Sequence, residues 1–180
     1  MFCAVDMMMA ANAVSMAGSC PCKRVGAVIA AKIEEKWIVV GVGSNRSLRG
    51  APGCDDIGCD LVCSQVEVDG ILTQRHNCVR TVHAEINALA DVEWSQAYKK
   101  PLVLFTNTYP CWHCFKTAVS FGVRGIFYVE PYNPDPRVKE YAEQFGVELF
   151  DMSGIMGGSE RELASHDSGK ERTLPTPPTD

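Results

Sequence analysis

The chain has 180 residues, of which 46% are hydrophobic and 22% charged, enough for one globular domain with a sizeable core and no second one. A net charge of -5 argues against a broad phosphate-backbone surface, so a nucleic-acid partner is not expected. A small anionic ligand needs only a local basic pocket, for which Lys23, Arg46, Arg49, Arg80 and Arg124 are candidates.

Met1 to Met16 is apolar but carries Asp6 and no basic residue, unlike a secretory leader. No run reaches membrane-spanning length, so no membrane partner is expected and the protein reads as cytoplasmic. Nine cysteines, an odd number, suit metal ligation better than a closed disulfide framework.

In chain order, residues 3–17 hold Ala, Met and Val up to Gly18 and predict a helix. Val25 to Ala30 and Trp37 to Val42 are β-branched runs joined by a charged turn, which predicts a hairpin. Gly43 to Thr81 reads as a long loop rich in Gly, Asp, Asn and Cys, a length that implies function or a cross-link. A helix from about Val82 to Ser95, a strand from Leu102 to Thr106, a helix from about Cys111 to Phe121 and a strand from Gly125 to Glu130 follow. Pro136 to Phe145 and Val147 to Phe150 predict a last helix and strand, and this alternation predicts parallel pairing. The domain is thus expected over 1–150, with a mobile Gly, Ser and Pro-rich tail over 151–180.

His83-Ala84-Glu85 and Pro110-Cys111-Trp112-His113-Cys114 supply three metal donors and one further carboxylate. His83 and Glu85 are two apart and share no helix face, so their site must lie over a helix end. Cys111 and Cys114 do share a face, with Pro110 at a helix start. Two helix N-termini would favour thiolates there. One imidazole and two thiolates form an accepted catalytic zinc set with a fourth position for water. Zinc lowers the pKa of bound water from about 15.7 to about 7, worth about 12 kcal/mol, and Glu85 is left to move the proton. Two other readings use the same residues. A Cys-x-x-Cys after a strand also suits a dithiol oxidoreductase, and Glu85 would complete a closed structural zinc site.

The spacing H-x-E…P-C-x-x-C is the signature of zinc nucleobase deaminases. Together with Cys78-Val-Arg-Thr-Val-His-Ala-Glu-Ile-Asn-Ala-Leu89, Cys20 before Val25-Gly26-Ala27, Gly53-Cys54-Asp55-Asp56-Ile57-Gly58-Cys59 and Phe127 to Tyr132, the chain resembles the deoxycytidylate (dCMP) deaminase family. The likeness is strongest to bacterial and phage members and covers roughly residues 10–150. It implies an α/β fold, a three-layer α/β/α sandwich around a five-stranded mixed sheet. It also implies a zinc-dependent hydrolase that converts dCMP to dUMP for the thymidylate pathway, working as a homo-oligomer, commonly a hexamer. Glu85 would be catalytic, with zinc on His83, Cys111 and Cys114. Other zinc deaminases of the superfamily remain alternatives.

By the same resemblance Asn45 contacts the sugar and Tyr132 closes on the sugar-phosphate, unless both are ordinary loop hydrogen-bonders. Where the family has Gly-Tyr-Asn-Gly and a proline, this chain has Gly43-Ser44-Asn45-Arg46-Ser47-Leu48. Arg46 is either a phosphate partner, which would admit dCTP as substrate, or a solvated surface residue. A nucleotide effector such as dCTP or dTTP, with magnesium, is a further expectation from the family. Finally, Cys20, Cys54, Cys59 and Cys78, with His76 as alternate, form a candidate second zinc site that would staple the long loop, unless some are free buried thiols. Cys3, Cys22 and Cys63 have no expected role.

Overall fold

The computed structural model describes residues 3–33, 36–68, 71–131 and 134–156. Its frame is a five-stranded mixed sheet. Strand β1 (Gly26–Ile33) is apolar on both faces, and its first six residues are buried. Such a run fits only between two layers. It pairs antiparallel with β2 (Lys36–Ser44), with an irregularity at Ile29/Ala30.

Between β2 and the first core helix lie the two-residue strand β3 (Arg46–Ser47), the short helix α2 (Cys54–Ile57), the hairpin β4 (Leu61–Val68) and β5 (Ile71–Cys78), and β6 (Thr81–Val82). The expected long loop is therefore corrected. Residues Leu61 to Cys78 form an antiparallel ladder in unbroken register, and Arg46 pairs with Val82. Among its described side chains, Leu61, Val62 and Leu72 are exposed.

The rest alternates as expected: α3 (Ala84–Ala90), α4 (Trp94–Ala97), β7 (Leu102–Thr108), α5 (Trp112–Ser120), β8 (Val123–Glu130), α6 (Pro136–Phe145) and β9 (Glu148–Asp151). The predicted helix over 82–95 is split into α3 and α4 around Val92. The sheet order is β2-β1-β7-β8-β9, antiparallel on both sides of β1 and parallel from β7 to β9. Local chemistry sets α6: Asp135 accepts from Arg137 N at 3.1 Å, Pro136 opens the helix, and Gly146 closes it at φ 64°.

Helix α1 (Ala4–Ser15) covers one face, where Met7, Met8 and Ala11 meet Val28, Ala30, Val103 and Phe105. On the other face Ala88 and Leu89 of α3, Phe115 of α5 and Val138 of α6 pack on Ile29, Leu104 and Ile126. The architecture is thus the expected three-layer α/β/α sandwich. Each fully buried Phe, Leu or Ile contributes about 1.5–3 kcal/mol. Helix α7 (Ser153–Met156) also packs on the α1 side, with Met152 only 3% exposed. The remainder of the expected tail, 157–180, lies outside the described residues.

Gly41 and Gly43 of β2 seat α3. A Cβ on Gly41 would collide with the Ala88 carbonyl, and one on Gly43 with the Ala88 amide and the Ala84 carbonyl. Helix and strand therefore touch backbone to backbone. Asn87 adds a hydrogen bond from Nδ2 to Ser44 O at 2.8 Å.

Candidate metal centre and active site

His83 is the N-cap of α3 and Cys111 the N-cap of α5. Both carry extended backbone, at ψ 151° and 164°, which turns the chain into each helix. Two helix starts thus face each other, with their N–H groups and partial positive charge at one place. Cys111 Sγ accepts from Cys114 N at 3.5 Å. His83 Nδ1 lies 3.5 Å from Cys111 Sγ and 3.3 Å from Cys114 Sγ. Donors about 2.0–2.3 Å from a tetrahedral zinc stand about 3.5–3.8 Å apart, so the triad fits that ion.

The protonation pattern of the bare triad points the same way. A hydrogen bond from Cys114, with help from His83 and against burial, holds Cys111 down at about 4. The Cys111 sulfur in turn raises His83 to about 9, again against burial. Cys114 is pushed far up, first by giving its proton to Cys111 and then by burial. One thiolate thus sits between two protons that a cation would displace.

Glu85, in the first turn of α3, is 4% exposed. Burial raises its carboxyl, with the charge of His83 opposing. Burial beside the triad thus favours the protonated form of this carboxyl over the ionised form it would take in solvent. Trp112 and His113, between the two cysteines, take no part in the triad. Trp112 packs on Phe115 and Tyr141, and His113 is exposed.

A family model for the cytidine and deoxycytidylate deaminase zinc-binding region matches residues 4–130, more than two thirds of the chain, including all three donors and Glu85. The chain belongs to the cytidine and deoxycytidylate deaminase family. Among curated proteins it is similar to ComE operon protein 2 of Bacillus subtilis (strain 168), 29% identical over 133 residues. That alignment takes in 74% of this chain but 62% of the relative, so it spans less than two thirds of the longer protein.

Among solved structures, the dCMP deaminase of cyanophage S-TIM5 in complex with dCMP and dUMP superposes with a TM-score of 0.57 at 23% identity. The overlap covers 81% of this chain and 93% of that one. An NE0047 mutant in complex with 8-azaguanine gives 0.51 at 17% identity, over 83% and 76%. At these identities the likeness is one of fold. A pyrimidine and a purine ligand both occur on it, so the deaminase fold leaves the base open.

The other expected residues fall as follows. Asn45 is buried, and its side chain is bound on both sides: Oδ1 accepts from Val25 N at 2.8 Å and Nδ2 donates to Lys23 O at 2.7 Å. Arg46 is exposed on β3, beside the segment that enters His83. Tyr132 and the side chain of His76 lie outside the described residues.

Cys54, Cys59 and Cys78 have thiols within 4.8 Å of one another, and Cys20, Cys22 and Cys59 form a second such triad. The four cysteines expected together are therefore divided between two triads that meet at Cys59, with Cys20 grouped with Cys22 rather than with Cys54 and Cys78. Cys54 and Cys78 stand 3.6 Å apart, with the Thr81 hydroxyl against both sulfurs. Burial and the neighbouring Cys22 thiol push Cys59 up to about 12. Against burial, hydrogen bonds from Thr81 and from the backbone at Asp60 and Arg80 bring Cys78 down to about 6. The residue that sequence reasoning missed is Cys22. Its signal was the Cys20-Pro21-Cys22 spacing, which puts two thiols on one short irregular stretch.

Proposed function

We propose that this chain is a zinc-dependent hydrolytic deaminase of a deoxycytidine nucleotide, converting dCMP and water to dUMP and ammonia. The observation that carries the reading is the buried Glu85 carboxyl beside a cluster of one imidazole and two thiols, all at facing helix starts. Zinc bound by His83, Cys111 and Cys114 would supply a water of lowered pKa. Glu85 takes the proton from the attacking water, delivers it to the cytosine ring nitrogen, and then assists departure of the amine as ammonia. Its burial keeps the proton affinity high enough for both halves of that transfer. The helix starts favour the charge on Cys111 and Cys114.

The cytosine reading is supported by the ligands of the S-TIM5 structure, and the monophosphate by the same source. Asn45, held by hydrogen bonds to the Val25 amide and the Lys23 carbonyl, is the sugar contact in this reading, Tyr132 the closing residue, and Arg46 the phosphate partner. A second zinc on Cys54, Cys59, Cys78 and Cys20 completes the proposal, supported by the close packing of the Cys54, Cys59 and Cys78 thiols and by Cys20 beside Cys59.

Deamination rates across cytidine, dCMP, dCDP and dCTP, read as loss of cytosine absorbance and release of ammonia, test this. Runs with and without magnesium and dCTP or dTTP reveal effectors. The expected result is dCMP favoured over cytidine by about tenfold or more in kcat/KM, the worth of one charge-assisted contact to phosphate. Turnover of guanine but of no cytosine compound would overturn the substrate, and Cys111-dependent disulfide reduction without deamination would overturn the reaction class.

A further inference from the structure

One tetrahedral metal needs four donors, yet the segment around Cys59 holds five thiols: Cys20, Cys22, Cys54, Cys59 and Cys78. The fifth is Cys22. It is exposed, and its Sγ stands 3.9 Å from Cys59 Sγ. Both residues sit on irregular chain, Cys22 between α1 and β1, Cys59 just after Gly58 at φ 84°. Neither is locked in a helix or ladder, so closing the gap to a bond of about 2.05 Å needs only local backbone adjustment. Cys59 is also the thiol common to both triads, and its loss disables either one.

We propose that Cys22 and Cys59 are a reversible disulfide pair, formed on exposure to a hydroperoxide, whose closure takes Cys59 out of the thiol cluster. The exposed Cys22 thiolate attacks one peroxide oxygen. The O–O bond breaks, water or an alcohol leaves, and Cys22 becomes a sulfenic acid. The Cys59 sulfur then attacks the Cys22 sulfur, the S–O bond breaks, and the oxygen leaves as water. Two electrons pass from the two sulfurs to the peroxide, and a dithiol reductant returns them.

Access selects this pair. Cys54 and Cys78 are closer, at 3.6 Å, but Cys54 is 2% exposed and Cys78 half-buried, whereas Cys22 is exposed, and a peroxide must first reach a sulfur. In the catalytic triad Cys114 is 1% exposed and Cys111 half-buried, and both sulfurs would be engaged by zinc in the loaded protein. The disulfide itself rests on the Cys22–Cys59 geometry alone, whereas metal release rests on the loop zinc proposed above.

The test takes the zinc-loaded full chain, adds a few equivalents of hydrogen peroxide, blocks free thiols with N-ethylmaleimide, and maps cross-linked peptides while a chromogenic chelator reports released zinc. The expected result is a Cys22–Cys59 peptide, reversed by dithiothreitol, with one zinc released per disulfide. Cys22→Ser should keep its full zinc content and release it at least tenfold more slowly. A Cys54–Cys78 or Cys111–Cys114 cross-link appearing first, or Cys22→Ser losing zinc at the original rate, would overturn the pair. A Cys22–Cys59 disulfide forming in protein that carries one zinc per chain supports the pair and overturns the loop zinc instead.

Discussion

The two cysteine clusters use the same donor chemistry on opposite kinds of scaffold. His83 and Cys111 cap helices whose buried faces are locked into the core through Ala88, Leu89 and Phe115. Cys20, Cys22 and Cys59 sit on irregular chain, and Cys54 on a one-turn helix. Where the backbone is set by packing, a cluster is pre-organised with one vacancy for chemistry and one carboxyl alongside. Where the chain is irregular, donors crowd together, and an ion bound there would become part of what holds it. The first arrangement suits catalysis, the second structure and switching.

The widest gap between them should appear in Glu85→Gln, which removes the proton carrier and leaves all donors in place. Turnover is expected to fall by about 10²–10⁴-fold or more with catalytic zinc retained. Substantial activity in a zinc-replete Glu85→Gln sample would show that the carboxyl at the packed cluster is not its chemistry.

A second contrast concerns stability. Cys54→Ala should lose the loop ion while the catalytic zinc stays, measured as metal per chain. If the ion is present at about a thousand times its Kd, about 4 kcal/mol goes with it, a fall in Tm of about 10 °C. An unchanged Tm with unchanged metal content would erase the structural role of the loop cluster.

The smallest effect is a proton count. In the metal-free triad Cys111 is already a thiolate above about 4, while His83, raised to about 9, and Cys114, raised further, hold protons at neutral pH. Zinc binding between pH 6 and 8 should therefore release about two protons rather than three, and affinity should rise with pH. Above pH 9, where His83 is already neutral, the release should approach one. Calorimetry in buffers of different ionisation enthalpy reads this directly.

Much of this was legible in the sequence because it is local or periodic. The two-residue gap between His83 and Glu85 required a helix end, and both helices do start there. The apolar runs gave the five core strands and their parallel half. The hairpin of Leu61–Val68 and Ile71–Cys78 was missed although Asp69-Gly70 is a strong turn dipeptide in the sequence, because Ser64, Gln65, Glu67, Gln74, Arg75 and Asn77 break up its apolar residues. Convergence was the least legible. Cys22 and Cys59 are 37 positions apart, and nothing in either neighbourhood announces the other.

The close seating of α3 on Gly41 and Gly43 has a practical corollary for engineering. Because Glu85, the proposed proton carrier, rides on a helix registered by peptide against peptide, libraries that trade one aliphatic group for another on the opposite layer should reshape the molecule without displacing it. Adding a single methyl at position 43 would push that helix outward and misalign the reaction by the width of one atom.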